Sequence, residues 1–380
     1  MRFVGHLQQR QQGARTRPSP IGLLALFACI GGLSGCEATY APPSLINKLR
    51  IVGVRAEPPV LHAVGIDQTP PVLSSVVTTL TPLVLGADPN ETLCHAWSLC
   101  LFALNQNGNY VCVDPDLETS LGTGATATVT IAQAVPLFLK LPAVFEKLAI
   151  TVPPELKGVA KTTPELKDAS GTEVVVRIKT AEAGSKDVSG TCPTDALAWL
   201  AKPCTDRTRC LVGYKRLALA INAKDAHTNP VITGLELDGV DWPEDVTPTV
   251  PCYRGDDFYG QVGSGAVPMT PRWTPGSREE IGPSADPSVT EPVKEGLLFS
   301  WLSTGGDWDK QRTFDKVPAN AFLPPHYDGK ASQLLRIWMV ARDGRNGTTW
   351  TSRQIEVRSG SSSAGHPLCS ARPSLPGCPK

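Results

Sequence analysis

The chain has 380 residues, and its 36 basic side chains balance its 36 acidic side chains. Only 19% of the residues are charged, so there is no net charge to attract nucleic acid or anionic lipid over a distance. This composition argues against a nucleic-acid-binding protein. The length that remains after the first 35 residues suits two domains of about 150 residues each, which are large enough to bury their own cores.

The first 35 residues have the composition of a bacterial export signal. Four arginines precede an apolar run at residues 21–33, and the run ends at Leu33-Ser34-Gly35-Cys36. The run is too short to cross a bilayer as a helix, and a buried strand or helix would not explain the basic flank and the terminal cysteine. The tetrapeptide resembles a lipobox, whose cysteine receives a diacylglyceryl group and becomes the mature N-terminus. We therefore predict a signal peptide at residues 1–35 and lipidation of Cys36.

Lipidation would place the protein in the cell envelope. A diacylglyceryl thioether with an N-acyl chain supplies more than the two signals that stable anchoring needs. In enteric lipoproteins aspartate after the cysteine favours the inner membrane, and by analogy Glu37 favours the outer membrane. Residues 36–47 contain Pro42-Pro43 and are predicted to form a semi-extended lipidated tether of roughly 35 Å. We expect a lipid-anchored outer-membrane protein, and the sequence does not decide between the periplasmic and the outer face.

Nine cysteines follow Cys36, and an exported compartment favours disulfides. Because nine is odd, one cysteine is free or pairs with another chain. The pairs predicted from proximity in sequence are Cys369–Cys378, Cys100–Cys112 and Cys192–Cys204. Cys94 and Cys100 cannot pair if both lie on one extended strand, since the strand holds them roughly 20 Å apart. A zinc site of Cys94, His95, Cys100 and Cys112 is the alternative, but no C-x₂-C unit occurs and exported thiols are oxidised.

Short β-strands separated by proline and glycine account for most of the predicted structure. In the first half the predicted strands are residues 49–57, 72–85, 93–101, 125–131, 174–179 and 216–221. In the strand at residues 174–179, valine and isoleucine alternate with Val175, Arg177 and Lys179. This alternation predicts a strand with one buried face and one exposed face. Two short helices are predicted, at residues 143–149 and 194–201.

The second half begins a new set of strands. The predicted strands are residues 231–237, 297–303, 334–341 and 348–357. The last two are joined through Asp343-Gly344-Arg345-Asn346-Gly347, whose Asp-Gly and Asn-Gly pairs accept positive φ angles, so a hairpin is predicted. Residues 242–293 are rich in proline, glycine and aspartate, and no regular element is predicted there. Residues 359–380 are predicted to be a flexible tail with a small disulfide loop.

Successive strands with few long helices predict an all-β fold built of sandwiches. In each half a tryptophan, Trp97 or Trp301, lies on a strand in the middle of the order, where an Ig-like domain buries its core tryptophan. The cysteine pair that usually flanks this tryptophan is not evident. We predict two tandem Ig-like β-sandwiches, residues 48–226 with short helical insertions and residues 227–358.

Several segments are shared with one kind of protein. They are the lipobox, LRIVGVRAEPP at residues 49–59, Trp97-x-x-Cys100, Asn229-Pro230, and Trp301 followed by RDGRNG at residues 342–347 and by Trp350. In these segments the chain resembles a family of Gram-negative surface lipoproteins with tandem Ig-like modules, over most of the mature length. The resemblance implies the fold and the envelope location, and it brings no catalytic or ligand-binding residues.

Catalytic and metal-binding patterns are weak. No G-x-S-x-G, H-E-x-x-H or P-loop segment occurs, and the histidines after Cys36 are scattered at His62, His95, His227, His326 and His366. Alternating carboxylates that could bind calcium occur at Asp114, Asp116 and Glu118, and at Asp307 and Asp309. The remaining ligands and the glycine of an EF-hand are missing, so solvated acidic turns explain them better. We expect no cofactor, no metal site and no enzymatic activity.

Six aromatic side chains form the most suggestive surface of the second half. They lie in loop-like stretches, at Trp242, Tyr253, Phe258, Tyr259, Trp273 and Trp308. Flat rings of this kind stack on sugars or anchor a protein partner, and the alternative is packing over the edge of a core.

Together these observations predict an envelope lipoprotein that acts as a non-catalytic protein-binding or scaffolding module. Its expected partners are the lipid bilayer, through the acyl anchor, and an envelope protein or a glycan. A glycan-binding module that uses the aromatic loops is the second hypothesis. A secreted-type hydrolase with an unrecognised site, built around one of the histidines, is the third.

Overall fold

β-Strands are the main regular element of the described chain. The computed structural model describes residues 42–64, 74–75, 77–106, 109–147, 173–220, 227–252, 265–281, 293–325, 332–359 and 366–378. The predicted signal peptide and Cys36 lie outside these residues. Among the described helices, none combines the length and the apolar composition needed to cross a membrane.

The first half forms two facing sheets. Its strands are β1 (Arg50–Glu57), β2 (Val60–Val64), β3 (Ser74–Ser75), β4 (Thr78–Leu85), β5 (Leu93–Cys100), β6 (Ala103–Gln106), β7 (Asn109–Cys112), β8 (Glu118–Thr123), β9 (Ala127–Val129), β10 (Glu173–Glu182) and β11 (Cys210–Ala220). Sheet I has the order β1-β4-β9, and sheet II has the order β3-β2-β11-β10-β5-β8. Strands β6 and β7 pair separately as a hairpin. Apolar side chains from both sheets meet in one core, so the first half is a β-sandwich.

The second half repeats this arrangement. Its strands are β12 (Ile232–Leu237), β13 (Val240–Asp241), β14 (Thr249–Pro251), β15 (Val267–Trp273), β16 (Glu280–Ile281), β17 (Val293–Lys294), β18 (Leu298–Ser303), β19 (Asp307–Trp308), β20 (Arg312–Phe314), β21 (Asn320–Leu323), β22 (Ser332–Arg342) and β23 (Thr348–Arg358). Sheet III has the order β13-β12-β15-β21-β19, and sheet IV has the order β14-β23-β22-β18-β20. A second apolar core lies between them.

The two sandwiches share one topology, which is Ig-like. Sheet I (β1-β4-β9) corresponds strand by strand to β12-β15-β21 of sheet III. In both sandwiches an early strand pairs in parallel with the last one, β2 with β11 and β14 with β23, and every other described pairing between the numbered strands is antiparallel. The all-β, Ig-like fold expected from the strand pattern is therefore present in both halves.

A tryptophan occupies the same strand in each core. Trp97 on β5 is fully buried and donates its indole N–H to the carbonyl of Gly124 at 2.8 Å. Trp301 on β18 is 1% exposed and donates to the hydroxyl of Thr313 at 2.9 Å. Each buried indole nitrogen thus has an acceptor, which such a ring needs when it leaves water. The placement of both rings agrees with the expectation from sequence.

The described α-helices are α1 (Ile131–Lys147), α2 (Ala196–Leu200) and α3 (Pro367–Ala371). Helix α1 begins twelve residues before the predicted start and contains Pro136 and Pro142. The side chain of Gln133 accepts from the backbone N–H of Thr130 at 2.9 Å, and this contact closes the helix start. Helix α2 begins after Asp195, whose carboxylate caps the N–H of Ala198 at 3.0 Å.

Residues 42–47 correct the prediction of an extended tether. Ile46 donates its N–H to the carbonyl of Ser303 at 2.8 Å, and Ser303 donates to the carbonyl of Ser44 at 3.0 Å. Ile46 is 4% exposed and belongs to an apolar cluster with side chains from β4, β18 and β22. The segment is therefore an added edge of the fold, packed where the two sandwiches meet.

The proline-rich stretch at 242–293, predicted to lack regular elements, contains short strands. Strands β14, β15 and β16 lie within it. Their residues include prolines, which suit edge positions and mask the strand pattern. Residues 253–264 and 282–292 of this stretch lie outside the described residues.

The described residues contain four disulfides, and two of them replace a predicted pair. The pairs are Cys94–Cys192, Cys100–Cys112, Cys204–Cys210 and Cys369–Cys378. The predicted Cys192–Cys204 pair is wrong, because Cys192 reaches back over 98 residues to β5 and Cys204 joins the start of β11. Among the described residues Cys252 is the free cysteine. The other two predicted pairs, Cys100–Cys112 and Cys369–Cys378, are formed.

Candidate functional site

The junction between the sandwiches gathers three segments that stood out in the sequence. Arg342, at the end of β22, donates to the carbonyl of Val52 in β1 at 2.6 Å. The side-chain amide of Asn229 donates to the carbonyl of Ala56 at 2.6 Å, and its oxygen accepts from the N–H of Thr348 at 2.8 Å. The opening strand, Asn229-Pro230 and the RDGRNG turn therefore meet in one place.

Local turn chemistry sets the geometry of the RDGRNG turn. One carboxylate oxygen of Asp343, Oδ1, accepts from the backbone N–H of Arg345 at 2.9 Å and of Gly347 at 2.7 Å. Asn346 has φ 75°, a conformation that asparagine tolerates. A Cβ on Gly347 would overlap the Asp343 carboxylate and press on Pro230, so glycine is required there.

A buried histidine lies at the centre of this junction. The side chain of His227 is 1% exposed, and its Nδ1 lies 2.7 Å from Oε2 of Glu279. Its Nε2 lies 3.1 Å from Oδ2 of Asp343, whose side chain is also 1% exposed. Thr228 donates its backbone N–H to Glu279 at 3.0 Å, which orients that carboxylate toward the ring.

A second buried carboxylate faces the same point. Glu295 has no side-chain exposure, and its Oε1 accepts from Nε of Arg345 at 2.7 Å. Arg345 also pairs with Glu279, so one guanidinium ties two carboxylates together. We call His227, Glu279, Glu295, Asp343 and Arg345 the junction cluster. It draws on the linker into the second sandwich, the segment beside β16, the segment after β17 and the hairpin turn.

The charges of the junction cluster shift one another. Burial lowers the pKa of His227, and the carboxylates of Asp343 and Glu279 raise it by more, so the pKa lies above the ordinary value of imidazole. Burial raises the pKa of Glu295 even though Arg345 opposes this change. Burial also acts to raise the pKa of Glu279, but its hydrogen bonds to His227 and Thr228 hold it below the usual range.

A cleft opens beside the junction cluster. It has a volume of about 430 Å³ and is lined by β1, by the middle of β11 and by the hairpin turn, including Asp343. Lys215 lies in its wall and donates to the carbonyl of Asn346 and to the hydroxyl of Thr348. Burial lowers the pKa of Lys215 to about 8. The cleft is a polar groove between the sandwiches, with Asp343 as its link to the cluster.

Three side chains of the junction cluster could hold a metal ion. His227, Glu295 and Asp343 each offer one ligand atom, and these three atoms all lie within 4.8 Å of one another. The sequence suggested no metal site here. Its histidines were scattered along the chain, and the RDGRNG turn was significant only as a hairpin. One signal in the sequence could have pointed to the cluster: His227 lies two residues before Asn229-Pro230, one of the segments that carry the family resemblance.

Of the three described aromatic residues of the predicted binding surface, two lie in the core. Trp242 is 1% exposed, and its indole N–H donates to the carbonyl of Val246 at 2.8 Å. Trp308 is 4% exposed, and its ring centre lies 4.9 Å from that of Trp301. Both were wrong as surface platforms, because a ring buried in a sandwich cannot stack on a ligand. Trp273 is half-buried against Phe299 at 5.1 Å.

The remaining aromatic candidates, Tyr253, Phe258 and Tyr259, lie outside the described residues.

The zinc alternative at the first cysteines is also wrong. Cys94, Cys100 and Cys112 are all consumed by disulfides and cannot act as thiolate ligands. Asp114, one of the calcium candidates, accepts from the N–H of Asp116 at 2.8 Å and pairs with Lys147 at 2.9 Å. The contact with Asp116 caps the 3₁₀ turn Pro115–Leu117, and the contact with Lys147 is an ion pair.

Comparison with known proteins adds little to this geometry. No protein-family profile and no curated protein matches the sequence. A nucleoside hydrolase-related hypothetical protein from Saccharophagus degradans is 13% identical with a TM-score of 0.21; the match covers 37% of this chain and 28% of that protein's length. The D0–D1 domain of intimin is 11% identical, covers 82% of this chain and 99% of its own, and has a TM-score of 0.20. Drosophila N-cadherin EC1-4 is 6% identical, covers 81% and 50%, and has a TM-score of 0.17.

Proposed function

We propose that this protein is a lipid-anchored envelope lipoprotein that acts as a non-catalytic binding or scaffolding module. The observation that carries the proposal is the junction, in which buried contacts hold two Ig-like sandwiches in one arrangement. Its apolar part joins Ile46 and Leu83 to Trp338, and its polar part joins Asn229 and Arg342 to β1. A scaffold needs such a fixed geometry, because a partner bound across two modules is held by both only if they keep their spacing.

The envelope location is supported by the sequence and by the cysteines. The lipobox ending at Cys36 predicts export and lipidation. Four disulfides in the described residues suit an oxidising compartment, where such bridges persist.

A hydrolase built on His227 is disfavoured by the geometry. Nδ1 lies 2.7 Å from Glu279 and Nε2 lies 3.1 Å from Asp343, so a carboxylate stands between each ring nitrogen and any substrate hydroxyl. The ring is also 1% exposed. The glycan hypothesis loses Trp242 and Trp308, which lie in the core.

The test is crosslinking in cells with a tagged, full-length protein, followed by detergent extraction and mass spectrometry. One dominant envelope protein should be enriched over an untagged control. If the protein fractionates with the outer membrane and no protein is enriched, the scaffolding proposal is wrong.

The anchor is tested separately by Cys36→Ala, which should release the protein from membranes or stall it with its signal attached. Cys29→Ala, a change within the predicted signal peptide, is the matched control and should fractionate as the wild type does. Membrane attachment of the Cys36→Ala variant after washing would contradict the anchor.

A further inference from the structure

Three buried polar atoms of the junction cluster lack a hydrogen bond of normal geometry, although two of them, on His227 and Asp343, face each other at 3.1 Å. They are Nε2 of His227, Oε2 of Glu295 and Oδ2 of Asp343. Their side chains are at most 1% exposed. A buried polar atom without a partner costs about 1–3 kcal/mol, and more when it is charged. Three such atoms pointing at one location need a common explanation.

The other polar atom of each of these side chains is held in place. Nδ1 of His227 lies 2.7 Å from Glu279, and Oε1 of Glu295 accepts from Arg345 at 2.7 Å. Oδ1 of Asp343 accepts two backbone N–H groups of the hairpin turn. Metal sites have this construction, because the outer contacts orient each ligand and a carboxylate behind the histidine fixes its tautomer.

The spacing of the inner atoms also fits a shared ion. Nε2 of His227 and Oδ2 of Asp343 are 3.1 Å apart without an aligned hydrogen bond. Two ligands bound at about 2.1 Å in a tetrahedral zinc site lie about 3.4 Å apart, so this pair would open by about 0.3 Å to take the ion. Glu295 completes the set, because one ligand atom from each of the three residues lies within 4.8 Å of the others.

We propose that His227, Glu295 and Asp343 bind a divalent transition-metal ion, with zinc as the ion of choice. One imidazole nitrogen and two carboxylate oxygens suit zinc, whereas calcium requires six to eight oxygen ligands. The two carboxylates neutralise the ion, which a buried site needs. Asp343 also lines the neighbouring cleft, so an ion would enter from that side.

Such an ion would tie the linker at His227 to the hairpin turn and to the segment after β17. It would therefore act on the second sandwich at the place where the first sandwich contacts it. This inference adds a ligand to the junction and does not depend on the scaffolding role, since zinc binding is measured on the purified protein alone.

The test uses the purified full chain, stripped with a chelator and then titrated with Zn²⁺ against a chromophoric competitor. We expect one equivalent of zinc and a thermal unfolding midpoint that rises with zinc concentration, as binding to the folded state requires. Absence of a stoichiometric site on the wild-type protein would overturn the proposal. In that case a protonated His227 bridging Glu279 and Asp343 would explain the cluster.

Variants then locate the site. Asp343→Asn and Glu295→Gln should weaken zinc binding at least 100-fold, and Glu279→Gln should weaken it about 10- to 100-fold by releasing the ring. His366→Asn and Glu356→Gln, which change the same residue types elsewhere in the second half, should bind as the wild type does. Cys252→Ser excludes the free thiol and should also leave affinity unchanged.

Folding of each variant is checked by circular dichroism before titration. If a ligand variant does not fold, X-ray absorption of the zinc-loaded wild type decides, with one imidazole and otherwise oxygen ligands expected. Sulfur in the first coordination shell, or unchanged affinity in both folded ligand variants, would place the zinc elsewhere and refute the assignment.

Discussion

The outward faces of sheets II and IV show how one topology is completed in two ways. On β10 of sheet II, Arg177 and Lys179 point away from the core and are nevertheless 3% and 0% exposed. Helix α2, its flanking loop and the β6–β7 hairpin cover them. On β22 of sheet IV, Trp338 and Val340 point outward and are covered by Ile46 and by β4 of the other sandwich.

The difference lies in what each cover has to satisfy. In the first sandwich a local insertion buries cations, so the insertion must supply acceptors: Lys179 donates to the carbonyls of Trp199 at 3.0 Å and Lys202 at 2.6 Å. In the second sandwich the covered surface is apolar and is buried by the other half of the molecule. Such a surface needs a closely fitting partner surface but no hydrogen-bond acceptors. The buried polar face of sheet II is therefore covered by an insertion of the same sandwich. The buried apolar face of sheet IV instead packs against the other sandwich and holds the two together.

The largest expected effect is at Arg177, which pairs with Glu118 and donates to the carbonyl of Tyr110 under the local cover. Arg177→Ala should lower the free energy of unfolding by about 3–5 kcal/mol, because it leaves Glu118 without its buried counter-charge. Urea unfolding measures this. Arg216→Ala, which breaks the exposed pair with Glu173 on the neighbouring strand, is the control and should cost about 0–1 kcal/mol. Equal effects would mean that the cover is open in solution.

Lys179 and Lys215 should make stability depend on pH in the alkaline range. Burial lowers the pKa of each from 10.5 to about 8. Between these values the unfolded chain binds more protons than the folded one, so the free energy of unfolding should rise with pH, by up to about 3 kcal/mol for each lysine. Urea unfolding from pH 7.5 to 10.5 measures the slope.

Lys179→Met and Lys215→Met should each flatten that slope. Lys179 tests the local cover of the first sandwich, and Lys215 tests the junction. A slope unchanged in Lys215→Met would show that the junction admits water to this lysine.

The disulfides should stabilise the two sandwiches unequally. Cys94–Cys192 closes 98 residues and ties the insertion to β5, whereas Cys369–Cys378 closes 9 residues in the tail. Loop entropy makes the first bridge worth about 2 kcal/mol more than the second. Thermal unfolding of the two double Cys→Ala variants compares them. In the variant without Cys94–Cys192, trypsin should also cut within residues 185–208 sooner; unchanged cleavage would show that packing alone holds the insertion.

The smallest effect should be at Asn229, which joins β1 to β23. Asn229→Ala removes three side-chain hydrogen bonds and should cost about 1–2 kcal/mol. Amide hydrogen exchange should then rise at Ala56, Glu57 and Thr348. Asn320→Ala, which removes comparable contacts to Lys310 inside the second sandwich, should leave exchange at the junction unchanged. Faster exchange across the junction in both variants would show that the two sandwiches unfold as one unit.

Much of the fold could be predicted from local sequence. Alternation placed β10, and the Asp-Gly and Asn-Gly pairs predicted the β22–β23 hairpin. Trp97 and Trp301 indicated the two cores. In each case a few consecutive residues carry the information, through side-chain direction or turn conformation.

The candidate site could not be predicted in this way. The sequence showed that Arg177 and Lys179 lie on one face of a strand, but not that an insertion covers this face. It also contained His227 and the RDGRNG turn without indicating that they meet, since His227 and Asp343 are joined only through the fold.

The sequence by itself thus determined most of the long strands and the two core tryptophans, and it predicts the lipid anchor at Cys36. The tertiary structure alone decided the long disulfide from Cys94 to Cys192, the burial of the outward faces and the convergence of the junction cluster. The physical reason is distance along the chain. Propensity and periodicity act between near neighbours, whereas burial and convergent ligands arise from contacts between residues about 100 apart, which only the packed sheets bring together.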